Sequence, residues 1–260
     1  MTNQPEKQRN RHDISVLMPA YNAALTLGRA VKSVIEQPLV NVELVIIDDC
    51  STDNTLEIAK NFAQRYTNVK VVSREANGRI AAALNSGAEQ ADGRYFMRLD
   101  TDDWLERGAL MKLQAALDTH PQVGFVYGGR KYYGRRSDTY TPAPYNKDHF
   151  NYHNASGYAY MFRREVWDMG IRWQSLGTFG GAVIDMEDWQ HEHLMLAAGF
   201  EGMALPETLV LHYTFRWDGT WAELQVNKDE ALAEFKRRFP AVKRSEERRV
   251  GKECLRLCRS

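Results

Sequence analysis

Cysteine is scarce in this chain, with three in 260 residues: Cys50, Cys254 and Cys258. The last two fall within "RSEERRVGKEC" and the residues after it, a stretch that resembles the conceptual translation of a sequencing-library adapter. Residues 244–260 are therefore expected to be an assembly artefact and carry no weight in the fold. Cys50 alone then remains, which excludes an intramolecular disulfide framework and a cysteine zinc site. Long apolar runs are also missing: nothing approaches the roughly 18 residues that a membrane span requires. Excess charge of one sign is absent too, because 34 Lys and Arg balance 34 Asp and Glu. Without the tail the balance turns slightly acidic, and no basic footprint argues for nucleic acid. Residues 1–12 are polar, with no apolar segment to serve as a signal peptide, so they read as a disordered leader on a cytoplasmic protein. No G-x-G-x-x-G follows the first apolar run, which argues against a dinucleotide oxidoreductase.

What is present is a regular alternation. "ISVLMP" (Ile14 to Pro19), "VELVIIDD" (Val42 to Asp49), "VKVVS" (Val69 to Ser73) and "RYFMRL" (Arg94 to Leu99) are short apolar runs that read as buried strands. Between them, residues 22–37, 50–66 and 79–91 place apolar side chains at helical spacing, with Asn22 as the expected first cap. Strands alternating with helices need crossover connections, so the expected fold is α/β, a mostly parallel twisted sheet covered by helices on both faces. Beyond Asp103 come a helix over 106–120, a strand from Val123, and loops with an irregular hairpin over 128–160. Helices over 162–170, 187–200 and 227–239 and a strand over 208–215 complete the pattern.

In open sheets of this kind ligands bind beyond the carboxyl ends of the strands, and that is where the polar clusters lie. Asp100, Asp102 and Asp103 in "LDTDDW" offer oxygen ligands to a hard divalent cation, or mark a helix N-terminus. Asp48 and Asp49 end the second strand, where they suit hydrogen bonds to a base or ribose, or capping of the next helix. Tyr21 can stack on a base or pack inward. Arg79 can meet phosphate or stay solvated. Glu187 and His191, taken alone, are an i,i+4 pair on a helix surface. His191 and His193 point in different directions on a helix and make a poor chelating pair. Tyr158, Tyr160 and Phe162 read as core fillers before sugar-stacking residues.

Together, "ISVLMPAYNAALTLGRAVKSVIEQ", "ELVIIDDCSTDNT", "NGRIAAALNSGAEQADGRYFMRLDTDDW" and "EDWQHEHLMLAAGF" resemble the successive blocks of family 2 glycosyltransferases with the GT-A fold. The likeness is strongest over residues 14–120 and extends to about 215. It implies a Rossmann-like nucleotide-binding half over 13–127 and an acceptor-binding half over 128–243 of one domain. It also implies an inverting enzyme that moves a sugar from a nucleotide-diphosphate donor, most often UDP-linked, to a hydroxyl of a glycan, lipid-linked or other acceptor. By position, Pro19, Tyr21 and Asp49 fall at the base and Arg79 near the nucleotide. Asp100 falls toward the ribose and metal, Asp102 at a Mn²⁺ or Mg²⁺ ion, and Asp103 beside them. Asp188 falls at the catalytic base, with Glu187 on the acceptor side. His212 and Arg216 are placed where they can approach the diphosphate. The Gln-x-x-Arg-Trp signature of processive synthases is absent, which favours a single transfer, and acceptors of this family leave room for a peripheral position at the inner face of a membrane. Two rivals are a binding protein that keeps the donor site without turnover, and a sugar-phosphate nucleotidylyltransferase. The second should carry a glycine-rich phosphate loop near the N-terminus, which "MPAYNAALTLGRA" lacks.

Overall fold

The computed structural model describes residues 12–134, 137–147, 156–157, 159–175, 177–179, 182–184, 187–214 and 237. The leader through Arg11, Tyr158, Arg216, the expected helix over 227–239 (Arg237 excepted) and the tail from 244 lie outside them. No helix of the described residues is long and apolar enough to cross a membrane.

The first half follows the alternation in the sequence: β1 (Ile14–Ala20), α1 (Leu27–Ile35), β2 (Val42–Asp48), α2 (Thr55–Arg65), β3 (Val69–Ser73), α3 (Arg79–Gln90) and β4 (Tyr95–Arg98). After β4 come β5 (Asp103–Leu105), α4 (Ala109–Thr119), β6 (Val123–Gly134), β7 (Thr139–Tyr140), β8 (Tyr160–Arg163) and α5 (Arg164–Asp168). The hairpin β9 (Gly177–Phe179) and β10 (Ala182–Ile184), then α6 (Glu187–Ala197) and β11 (Glu201–Thr214), follow. The main sheet runs β3-β2-β1-β4-β8-β6-β11-β5, with β7 on the edge of β6. Pairing is parallel among β3, β2, β1 and β4 and between β6 and β11, whereas β8 and β5 run against their neighbours.

Alternating side chains send the sheet's apolar residues to two cores. Val16 and Met18 meet α1, α2 and α4 on one face, and Leu17 joins α3, α5 and α6 on the other. All seven residues of β2 are buried, as a strand covered on both faces requires. Helix α3 comes close because Gly87 has no side chain: a Cβ there would lie 2.5 Å from Ile47 Cδ1.

The expected boundary between halves at residue 127 falls inside β6, and β5 from the first half pairs with β11 from the second. Both halves therefore share one sheet. Phe162 and Arg163 belong to β8 and not to a helix, since the sheet needs a strand between β4 and β6 and Phe162 is fully buried there. At the amino-terminal edge of the sheet, Lys70 Nζ pairs with buried Glu43 at 2.6 Å and with Asp92 at 3.2 Å, and His12 meets Asp92 at 2.7 Å. The lysine answers the buried carboxylate, and this cluster lies at the opposite end from the strand termini considered next.

Candidate functional site

The strand order reverses about β1, whose neighbours are β2 and β4, and in open sheets ligands bind beyond the carboxyl ends of the strands at such a switch point. The loops after β1 and β2 are tied together there. Thr52 donates from its amide to Asn22 Oδ1 at 2.8 Å, the Ala23 amide donates to Thr55 Oγ1 at 2.7 Å, and the Ala24 amide donates to Asp53 at 3.2 Å. Asn22 is thus not a helix cap. It adopts φ 49°, which asparagine tolerates, and cross-links two loops, while α1 starts later at Leu27. Pro19 sits half-buried in β1 opposite Ile47, and Tyr21 leaves 49% of its surface exposed.

The two aspartates after the second strand separate in role. Asp48 accepts from the Ser51 amide at 3.3 Å and shapes its own turn. Asp49 is 4% exposed, accepts from the Gly78 amide at 3.1 Å and faces Arg74 Nε at 3.4 Å. It thereby draws the start of α3, where Arg79 is exposed with φ 65°, toward the end of β2.

At the end of β4, one carboxylate oxygen from each of Asp100, Asp102 and Asp103 lies within 4.8 Å of the others. The helix-start reading of this cluster fails, because the chain enters β5 at once and α4 begins only at Ala109. Asp103 is fully buried and faces His212 Nδ1 at 2.5 Å, in register across β5 and β11. Burial works against a charge on that imidazole, but the Asp103 carboxylate wins and holds its pKa above the usual histidine value. Asp102 is pushed up to about 7 by burial and by the neighbouring Asp103 and Asp100 carboxylates, with His212 opposing. Crowded, partly dehydrated oxygen donors of this kind fit a hard divalent cation, which would relieve their repulsion.

Asp100 is held by a residue that sequence reasoning missed. Arg98 donates from Nε to Oδ1 at 2.7 Å and from Nη2 to Oδ2 at 2.9 Å, and its remaining arm donates from Nη1 to Glu187 Oε1 at 2.5 Å. Burial opposes the Arg98 charge, yet Asp100, Glu187 and Asp188 hold its pKa well above the ordinary value. The signal was an arginine inside "YFMRL": a charge in a buried strand requires carboxylate partners.

Helix α6 begins with Glu187, which is buried, and Asp188, which is half-buried and accepts from the Trp189 amide at 2.8 Å. The helix carries polar residues on its inward side. His191 stacks on Trp173 with centroids 4.5 Å apart and meets the Tyr160 hydroxyl at 2.8 Å; burial, then Arg172, drives its pKa down to about 3. His193 Nδ1 instead meets the Trp189 carbonyl at 2.9 Å, so the two histidines do not converge on a metal. Tyr160 and Phe162 fill the core as expected.

Glu192 is fully buried, with no hydrogen-bond partner at either carboxylate oxygen among the described residues, and burial followed by the Asp188 charge raises its pKa well above the usual value. The folded chain keeps this proton to higher pH than the unfolded chain does. Burial of Glu192 therefore carries no ionisation penalty below about pH 4.5, and the fold loses stability as pH rises from there toward the raised folded-state pKa. Glu192→Met, of similar length, is expected to stabilise the protein by about 1–3 kcal/mol, more at pH 8 than at pH 5. Thermal denaturation at both pH values checks this, and a lower Tm in the variant at pH 8 would mean that the buried carboxyl has a stabilising role.

The arrangement therefore offers an exposed aromatic ring and a buried carboxylate at two strand ends, an oxygen-rich cluster at a third, and a carboxylate at a helix start beside Arg98. Among known proteins, the chain is 38% identical over 111 residues to the minor teichoic acid biosynthesis protein GgaB of Bacillus subtilis, covering 42% of this chain and 12% of that one. It spans under half the length of the curated relatives it matches. In structure it resembles S. aureus TarS in complex with UDP-GlcNAc, with TM-score 0.68 and 20% identity over 81% of this chain and 61% of that one. It also resembles the mannosyltransferase PcManGT of Pyrobaculum calidifontis in complex with GDP-Man and Mn²⁺, with TM-score 0.64 and 16% identity over 94% and 69% of the two chains. These likenesses show the GT-A fold. The model of glycosyl transferase family 2 matches residues 15–171, and with that match the chain belongs to this family of glycosyltransferases.

Proposed function

We propose that the protein transfers a sugar from a nucleotide-diphosphate donor, with UDP as the carrier, to an acceptor hydroxyl, singly and with inversion at the anomeric carbon. The observation that carries this is the cluster of Asp100, Asp102 and Asp103 at the end of β4, where Arg98 joins Asp100 to Glu187, the neighbour of Asp188, on the side of the sheet where this architecture binds ligands. Tyr21 and Pro19 receive the base, with Asp49 beside them, and Arg79 lies toward the phosphates. Asp102, with Asp100 beside it, would hold Mn²⁺ or Mg²⁺. Such an ion, when bound, offsets charge that develops on the leaving diphosphate.

Asp188 takes the proton of the acceptor hydroxyl as its oxygen bonds to the anomeric carbon. The nucleoside diphosphate departs from the opposite face with the electron pair of the broken C–O bond, and the configuration inverts. Glu187 helps set the acceptor side by fixing the first turn of α6. Attack by one acceptor on a donor seated at the strand ends is a single transfer. The enzyme is cytoplasmic in this reading, with a peripheral position at the inner face of the membrane where the acceptor is lipid-linked.

UDP is supported by the likeness to TarS with UDP-GlcNAc, and the GDP-Man complex of PcManGT supplies the competing carrier. Calorimetric titration with UDP, GDP, CDP and dTDP, each with and without Mn²⁺, tests the reading. Metal-dependent binding of UDP in preference to the others is expected. Binding of GDP alone would replace the carrier, and binding of none by the folded chain would sink the donor site. A donor that binds without transfer to any hydroxyl acceptor would leave a binding protein.

A further inference from the structure

Arg98 belongs to neither the nucleotide pocket nor the acceptor side, yet it touches a carboxylate from each. Its backbone is fixed by β4, which lies between β1 and β8, with Arg98 itself opposite Leu17. Its side chain is 6% exposed, and all three of its nitrogens donate, two to Asp100 and one to Glu187, across 89 positions of sequence. A planar guanidinium can hold one carboxylate with two parallel bonds while a third arm reaches another; an ammonium cannot. Nearby Asp188 adds to the field that keeps the guanidinium charged.

We propose that Arg98 is a positioning residue that sets the catalytic end of α6 from the donor side: it locks Asp100 and Glu187 together and thereby fixes where Asp188 stands. This deepens the transferase reading and rests on it for its catalytic consequence. The mechanical part stands on the geometry alone.

The loss of the fork in Arg98→Lys is expected to free the first turn of α6. Deuterium uptake by peptides that cover residues 187–191 then rises, while uptake over β1 and β2 stays at the parental level. Nucleotide binding in the presence of Mn²⁺ is expected to weaken by several-fold at most, because Asp100 loses one of its two bonds, while kcat falls further, by roughly 10–100-fold, the scale of a misplaced reacting group. Glu187→Leu, of similar size but with no oxygen to accept from Arg98, removes the other end of the contact and should reproduce the kcat loss. The double variant should lose no more than the worse single one, because both break the same link.

Unchanged uptake at α6 in a folded Arg98→Lys protein would overturn the proposal, whatever the activity. So would losses that multiply in the double variant, or a fall in nucleotide affinity that matches the fall in kcat. A parent chain that binds no nucleotide would sink the transferase reading instead, and deuterium uptake alone would then decide the role of Arg98.

Discussion

Asp188→Asn is expected to bind the donor nucleotide as the parent does and to transfer sugar roughly 10²–10⁴-fold more slowly, the range over which a positioned general base acts. The reason is local. Asparagine has the same shape, and its side-chain oxygen can still accept from the Trp189 amide, the bond that fixes Asp188 at the start of α6. What it cannot do is accept the proton of the acceptor hydroxyl. The loss should therefore appear in kcat, with nucleotide affinity and Tm near parental values. Initial-rate measurements beside calorimetry on the same preparation separate these quantities. Transfer at the parent's rate would remove Asp188 from the base role and turn attention to other carboxylates near the acceptor.

Asp102→Asn is expected to act in the opposite place and with mixed sign. Burial and the two neighbouring carboxylates crowd Asp102, so a neutral isostere relieves repulsion in metal-free buffer. The variant should match or exceed the parent's Tm. Its nucleotide binding, however, should lose most of the gain that Mn²⁺ gives, by roughly 100-fold or more, since loss of even a supporting group around a metal costs 10–100-fold. Proteins that hold like charges together for function commonly show such a trade of stability against activity. Titration with and without Mn²⁺, paired with thermal denaturation, reads both effects. An unchanged metal dependence would move the cation off Asp102, and a lower Tm would show that the carboxylate is paired within the fold.

Much of the first half was legible because its elements are short and covered on both faces. β1, β2, β3 and β4 are apolar runs bounded by polar turns, and the helices between them bury one stripe each. Periodicity records that kind of burial directly. It failed where pairing, not pattern, made the element. β5 is three residues long and exists because Asp103 to Leu105 meet Val210 to His212 of β11. β8 holds Phe162 and Arg163 because a gap between β4 and β6 had to be filled, although the residues after them do form a helix. The start of α1 was misplaced for a similar reason, since Asn22 serves a partner in the loop after β2 and not its own helix.

The sequence by itself determined the alternation of strands and helices, the clustering of Asp49, Asp100, Asp102 and Asp103 at strand ends, and the later Glu187–Asp188 pair. Each is a local pattern, set by side chains within a few residues of one another. Only the tertiary structure decided that the DTDD turn leads to a strand, that His212 stands over Asp103, and that Arg98 joins Asp100 to Glu187. Those contacts span 89 and 109 positions of chain. They arise because a buried charge must find its opposite wherever the fold brings one, and no spacing along the sequence records which partner that will be.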